Sequence, residues 1–193
     1  MKSMLVEEEE EMPDESADGR LRELLDRQEI MDCLLRYTRG VDRLDLDLVR
    51  SAFHPDARDC HGPISGNAAE FLDWWLPAQP RREATQHYLM NHTVEIDGDV
   101  AHAETYYLTV IKEVGMVDAS LYGGRYADRL ERRDGEWKIA VRVVLPEWGA
   151  EVDASRMSKV FDLRHRGSRD RQDPTYERPL RVRPPIQAIP PGR

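Results

Sequence analysis

The chain has 193 residues, 40% hydrophobic and 34% charged, which suits one soluble domain with a sizeable core and is too short for two. Its formal net charge of −9 argues against nucleic-acid partners, whose phosphates call for clustered Lys and Arg. No apolar run approaches the roughly 20 residues that cross a bilayer, and the opening MKSMLVEEEEEMPDESADGR lacks a secretory h-region, so neither a membrane partner nor export is expected and the cytoplasm is the expected compartment.

In chain order, residues 1–18 read as a disordered acidic tail, because consecutive glutamates repel and nothing apolar offsets ordering. A domain over residues 19–150 follows. Leu21, Leu24, Leu25, Ile30, Met31, Leu34 and Leu35 recur every three or four positions, predicting a helix that Gly40 ends. A second helix starts near Asp45 or Asp47, either of which can cap it, and stops at Pro55; a third covers about 67–76 before Pro77. From Thr85 the pattern becomes two long hairpins, turning at Asp97-Gly98-Asp99 and at Arg133-Asp134-Gly135, with the last strand ending at Pro146. Helices first and antiparallel strands afterwards predict an α+β domain with helices packed on one face of a curved sheet. Residues 151–193 read as a basic, proline-rich arm that docks on its own domain or on a neighbouring subunit, with Tyr176 and Leu180 among the residues that cover apolar surface.

Two short stretches carry the candidate chemistry. In RYTRGVDRLDLDLVRSAFHPDA, residues 36–57, a helix presents Tyr37, and Asp42 turns inward where the chain leaves that helix; the alternative is that Asp42 merely caps the next helix. In ATQHYLMNHTVEIDGD, residues 84–99, strand alternation puts His87, Leu89 and Asn91 on one face and Tyr88, Met90 and His92 on the other. A lone strand histidine is ordinarily a hydrogen-bonded rim residue, so its meaning depends on a carboxylate meeting it. Arg142, between Val141 and Val143, points opposite to both; the alternative is a surface arginine. Trp74 and Trp75 are helical and belong first to the core, but with Tyr107 and Val110 they could wall an apolar pocket. Cys33 and Cys60 lack metal-ligand spacing and read as reduced, and no histidine pair has the spacing of a helical metal motif, so neither metal nor cofactor is expected.

The order Tyr37, Asp42, the His87 to Asn91 strand, and DRLERRDGEWKIAVR ending at Arg142 resembles the SnoaL-like superfamily. That branch includes scytalone dehydratase, bile-acid dehydratases and hexachlorocyclohexane dehydrochlorinase, and the resemblance covers about residues 20–146. It implies a cone-shaped domain in which His87 is the base, Asp42 orients it, Tyr37 donates to a substrate oxygen and Arg142 favours an anionic intermediate or leaving group. It implies a cofactor-free lyase or isomerase acting on a hydrophobic ring-containing small molecule, in a homo-oligomer, trimer or dimer, built on the outer face of the sheet. Val110 stands where bile-acid dehydratases carry an acidic residue, so the pair transfers better than the reaction. Two other readings share the fold: a structural β subunit of a ring-hydroxylating dioxygenase and a non-catalytic ligand-binding protein.

Overall fold

The computed structural model describes residues 16–155 and 167–181. Helix α1 (Ala17–Arg43) starts where the Ser16 hydroxyl accepts from the Gly19 N–H, and buries one stripe that includes Ile30, Cys33, Leu34, Tyr37 and Val41. Gly40 does not end this helix. A Cβ at position 40 would lie 2.7 Å from both the Val49 backbone nitrogen and Cγ2, so the glycine lets α2 (Leu46–Ser51) cross closely; Leu44, at φ 53°, takes the left-handed cap instead. Asp45 caps α2, as the sequence allowed.

Pro55 does not lie in a connection, because the chain from Phe53 to Gly66 forms two strands. Strand β1 (Phe53–His61) pairs parallel with the last strand and antiparallel with β2 (Ile64–Gly66). Pro55 falls where the parallel register shifts, between Phe53 and Arg58, a position at which its missing N–H costs no ladder bond. Helix α3 (Ala68–Trp75) opens on a reciprocal Asn67–Glu70 capping box and runs into a 3₁₀ turn over Leu76–Arg81.

Strands β3 (Arg82–Asp97), β4 (Val100–Glu113), β5 (Asp118–Arg133) and β6 (Glu136–Asp153) complete a six-stranded sheet of order β2-β1-β6-β5-β4-β3. Asp134 and Gly135, both at positive φ, make the tight β5–β6 turn. Strand β6 does not stop at Pro146: it continues, largely exposed, to Asp153, paired with β5. The N-terminal helices pack on one face of this curved, unclosed sheet. Asp26 ties α1 to it, accepting from the Trp137 indole at 2.9 Å and from Arg132 at 2.7 Å.

Residues 167–181 pack against the end of α1. Arg171 and the Tyr176 hydroxyl both reach Asp45, at 3.0 and 3.3 Å, and Arg39 lies 5.0 Å over the Tyr176 ring. Asp173, 3% exposed, holds this segment's own turn through Ser168 and Thr175 and approaches Arg43. Leu180, in contrast, covers nothing: it is 69% exposed. The arginines at 164, 166 and 183 and the apolar residues Val182, Ile186 and Ile189 lie outside the described residues, as do residues 1–15. Among the described residues no helix is long and apolar enough to cross a membrane.

Candidate functional site

His87 sits on β3, an edge strand, and an edge strand leaves alternate backbone N–H groups without a ladder partner. Asp42 takes one of them. Its Oδ2 accepts from the His87 N–H at 2.9 Å while its Oδ1 lies 2.7 Å from Nδ1 of the same residue. A carboxylate accepts and does not donate, so in the neutral ring this contact puts the proton on Nδ1 and leaves Nε2 bare. The two side chains are 10% and 14% exposed, enclosed but reachable.

Asp42 lies within the last turn of α1, not beyond it, where the helix dipole disfavours negative charge. Arg169 supplies an opposing charge. Its guanidinium donates to the carbonyls of Asp42 at 3.3 Å, Val41 at 3.4 Å and Arg82 at 3.4 Å, and to Gln79 Oε1 at 2.8 Å, closing the end of the helix that carries the carboxylate. Burial and the neighbouring Arg82 bring this guanidinium down to about 10.

Tyr37, one and a half turns before Asp42, is 1% exposed and stands edge-on to Phe53 and Tyr126. Burial raises its hydroxyl above the ordinary tyrosine range, against the pull of Arg142. Arg142 is not a surface arginine. It is wholly buried between the Tyr37 and Tyr126 rings, 4.3 and 4.2 Å from their centroids, and gives Nε and Nη2 to the two oxygens of Asp128 at 2.7 Å each. Burial alone would lower the Arg142 pKa, but the Asp128 charge and its paired hydrogen bonds outweigh that and raise it. Its charge is therefore balanced within the fold; Nη1 makes no well-directed hydrogen bond, although the Tyr37 hydroxyl lies close beside the guanidinium.

Of the pocket residues read from the sequence, Tyr107 faces inward, stacked on Tyr126 at 4.5 Å, and Trp75 is buried on Phe71 at 6.2 Å. Trp74 is 44% exposed at the rim. Asn91 is exposed: a register shift between Leu89 and His92 inserts an extra residue, so the inward sequence is His87, Leu89, His92, with His92 Nδ1 on Thr105 at 2.8 Å. Val110 is on the outer face, since Thr105, Tyr107 and Thr109 point inward in alternation, and Thr109 stands opposite His87. Strand alternation puts His92 on the face opposite His87, and the inserted residue turns it inward; His61 ends β1 and does not lie in a loop, while Asp59, Asp128 and Arg169 escaped the sequence reading. Alternation with Tyr126 and Leu130 could have found Asp128. Nothing local marks Arg169.

The buried aromatic side chains form a continuous cluster. Tyr107 stacks on Tyr126, which meets Tyr37 at 6.1 Å; Tyr37 lies 6.5 Å from Phe71, and Phe71 lies 4.7 Å from the His61 ring. A helix-borne carboxylate on a strand histidine is what the SnoaL-like resemblance implied, and residues 22–143 match the family described as the SnoaL-like domain. The chain belongs to the SnoaL-like family. Among its SnoaL-like relatives, an uncharacterized protein of Mycobacterium tuberculosis is 28% identical over 125 residues, 63% of this chain and 85% of that protein. A candidate scytalone dehydratase of Novosphingobium aromaticivorans superposes with a TM-score of 0.64 at 15% identity, over 69% of this chain and 91% of its own. A hexachlorocyclohexane dehydrochlorinase of Novosphingobium barchaimii does so with a TM-score of 0.62 at 23% identity, over 69% of this chain and 94% of its own. At these identities the likeness to both structures is one of fold. The matched region ends before residue 167, so the arm that supplies Arg169 lies beyond it.

Proposed function

We propose that this SnoaL-like protein is a cofactor-free lyase, or an isomerase, that acts on a hydrophobic ring-containing small molecule through an Asp42–His87 general-base pair. The observation that carries this reading is the two-point hold of Asp42 on His87, which fixes both the tautomer and the orientation of the ring. Nε2 takes a proton from a carbon of the ring, and Asp42 stabilises the imidazolium that results. The electron pair of the broken C–H bond then forms a π bond. In elimination it displaces a leaving group on the neighbouring carbon; in isomerisation the imidazolium returns the proton at another carbon. Tyr37 is the donor available to an oxygen that gains charge, and the buried Arg142 cation beside it favours that charge through its field rather than by contact. The aromatic cluster fits rings better than an extended polar chain.

A structural β-subunit role would place no demand on the orientation of His87. Tyr88, Met90, Tyr106 and Val143 lie exposed on the outer face of the sheet, and this apolar face supports association of copies of the chain as a homo-oligomer. The reading is tested by incubating the purified chain in D₂O with a panel of hydroxylated and chlorinated alicyclic compounds and following water loss, chloride release and deuterium uptake. Turnover that falls about a hundred- to ten-thousand-fold in His87→Gln supports the reading; turnover that survives the substitution contradicts it.

A further inference from the structure

On the inner face of the sheet, where β1 lies beside β6, three buried polar groups lack hydrogen-bond partners among the described residues. Both carboxylate oxygens of Asp59, whose side chain is 1% exposed, have no hydrogen-bond partner among the described residues. Nδ1 of His61 lies 3.4 Å from Asp59 Oδ1 yet makes no hydrogen bond, and its ring rests on Phe71 at 4.7 Å and near Trp74 at 6.3 Å. Arg142 Nη1 is the third. The strand register places Asp59 beside Arg142 on one side and Asp128 beside it on the other, and the guanidinium gives its fork to Asp128 alone. Burying polar groups unpaired is costly, and native structures keep few of them without a ligand, an ordered water or a chemical task to account for them.

Helix α1 gives the scale. Tyr37 packs on Arg142 while Asp42 holds His87, and five residues of helix rise by about 7.5 Å, roughly the length of one or two fused rings.

We propose that Asp59, His61 and Arg142 form a subsite for a hydroxyl group on the ring substrate, at the end away from the carbon that faces His87. The hydroxyl donates to Asp59 and accepts from Arg142 Nη1, so both orphaned groups are met at once. A keto oxygen would satisfy the arginine alone, and a chlorine neither group well. His61, with its side chain 23% exposed and its ring held against Phe71, closes the subsite toward Trp74. This preference for a hydroxyl at that position rests on the proposed reading of the domain as an enzyme of ring-containing substrates.

The test compares 2-naphthol with naphthalene by fluorescence titration of the full chain. Wild type is expected to prefer the naphthol on the order of tenfold, the scale of a hydrogen bond to a charged group. In Asp59→Asn that preference should fall several-fold with naphthalene affinity unchanged, His61→Gln should lower it as well, and His87→Gln should leave it intact. Equal affinity of wild type for the two probes, or a preference that survives in both Asp59→Asn and His61→Gln, would overturn the proposal. Binding of neither probe would contradict the reading of the cone as a ring-binding site, and the subsite with it.

Discussion

Asp42 grips His87 twice, by the ring at 2.7 Å and by the backbone N–H at 2.9 Å, and the second contact exists only because β3 is an edge strand. Removing the carboxylate therefore does more than weaken a base. In Asp42→Ala, two donors in a largely enclosed setting lose their acceptor, a loss of about 1–3 kcal/mol in stability. Asp42→Asn preserves the shape and one acceptor, so it should fold close to wild type yet lose activity, because an amide does not balance an imidazolium. Urea denaturation and turnover measured together separate the two effects.

The Arg142–Asp128 pair is a second pillar. Neither side chain has solvent access, so Asp128→Ala strands a buried guanidinium between two tyrosine rings and is expected to destabilise by about 3–5 kcal/mol. Arg142→Lys keeps the charge but cannot reproduce the fork on Asp128, and should also lower the denaturation midpoint. A midpoint unchanged in both variants would mean that the pair is dispensable.

The helix that carries Asp42 is closed by Arg169, from outside the region that defines the family. Arg169→Met should leave the sheet intact, loosen the segment from Gly167 to Arg181, and lower activity more than stability. Limited proteolysis reads the first effect as faster cleavage within that segment. Protection equal to wild type, together with full turnover, would show that the arm is a passive appendage.

Stability should depend on pH at both ends. Burial raises the hydroxyls of Tyr37 and Tyr126 and pushes the Cys33 thiol up to about 11, so the folded chain keeps protons that the unfolded chain releases. Their contribution is complete below the ordinary values, about 8.5 for cysteine and 10 for tyrosine, and is lost as pH rises through the folded ones. Tyrosinate absorbance from these two rings should appear only with unfolding. His92 works in the opposite sense, because burial lowers its imidazole pKa against the pull of Asp128. Its contribution is present above the ordinary value of about 6.5 and fades as pH falls, so His92→Gln should flatten the acid limb of the stability curve.

The hairpins were legible because Asp97-Gly98-Asp99 and Arg133-Asp134-Gly135 punctuate clear alternation, and α1 was legible from its apolar stripe. Strand β1 was not. Its inward positions include Asp59 and His61, so buried polar groups erase the alternation that would reveal the strand, and Pro55 reads as a stop. Asn91 was placed by perfect alternation, which one inserted residue breaks and no local composition announces. Gly40 resembled a helix end but answers to Val49, a contact that only packing reveals. Tyr37, Asp42, His87 and Arg142 were readable through resemblance, whereas Asp128 and Arg169 matter through partners distant in the chain.

That Asp42 holds the His87 proton on Nδ1 and leaves Nε2 free is testable without a substrate, by nitrogen-15 NMR of the imidazole rings in the full chain. At a pH where His87 is neutral, the proton should lie on Nδ1, with an Nε2 shift typical of an unprotonated nitrogen, and Asp42→Ala should show a mixture of the two tautomers. A proton found mainly on Nε2 of wild-type His87, or a tautomer balance indifferent to Asp42, would contradict it.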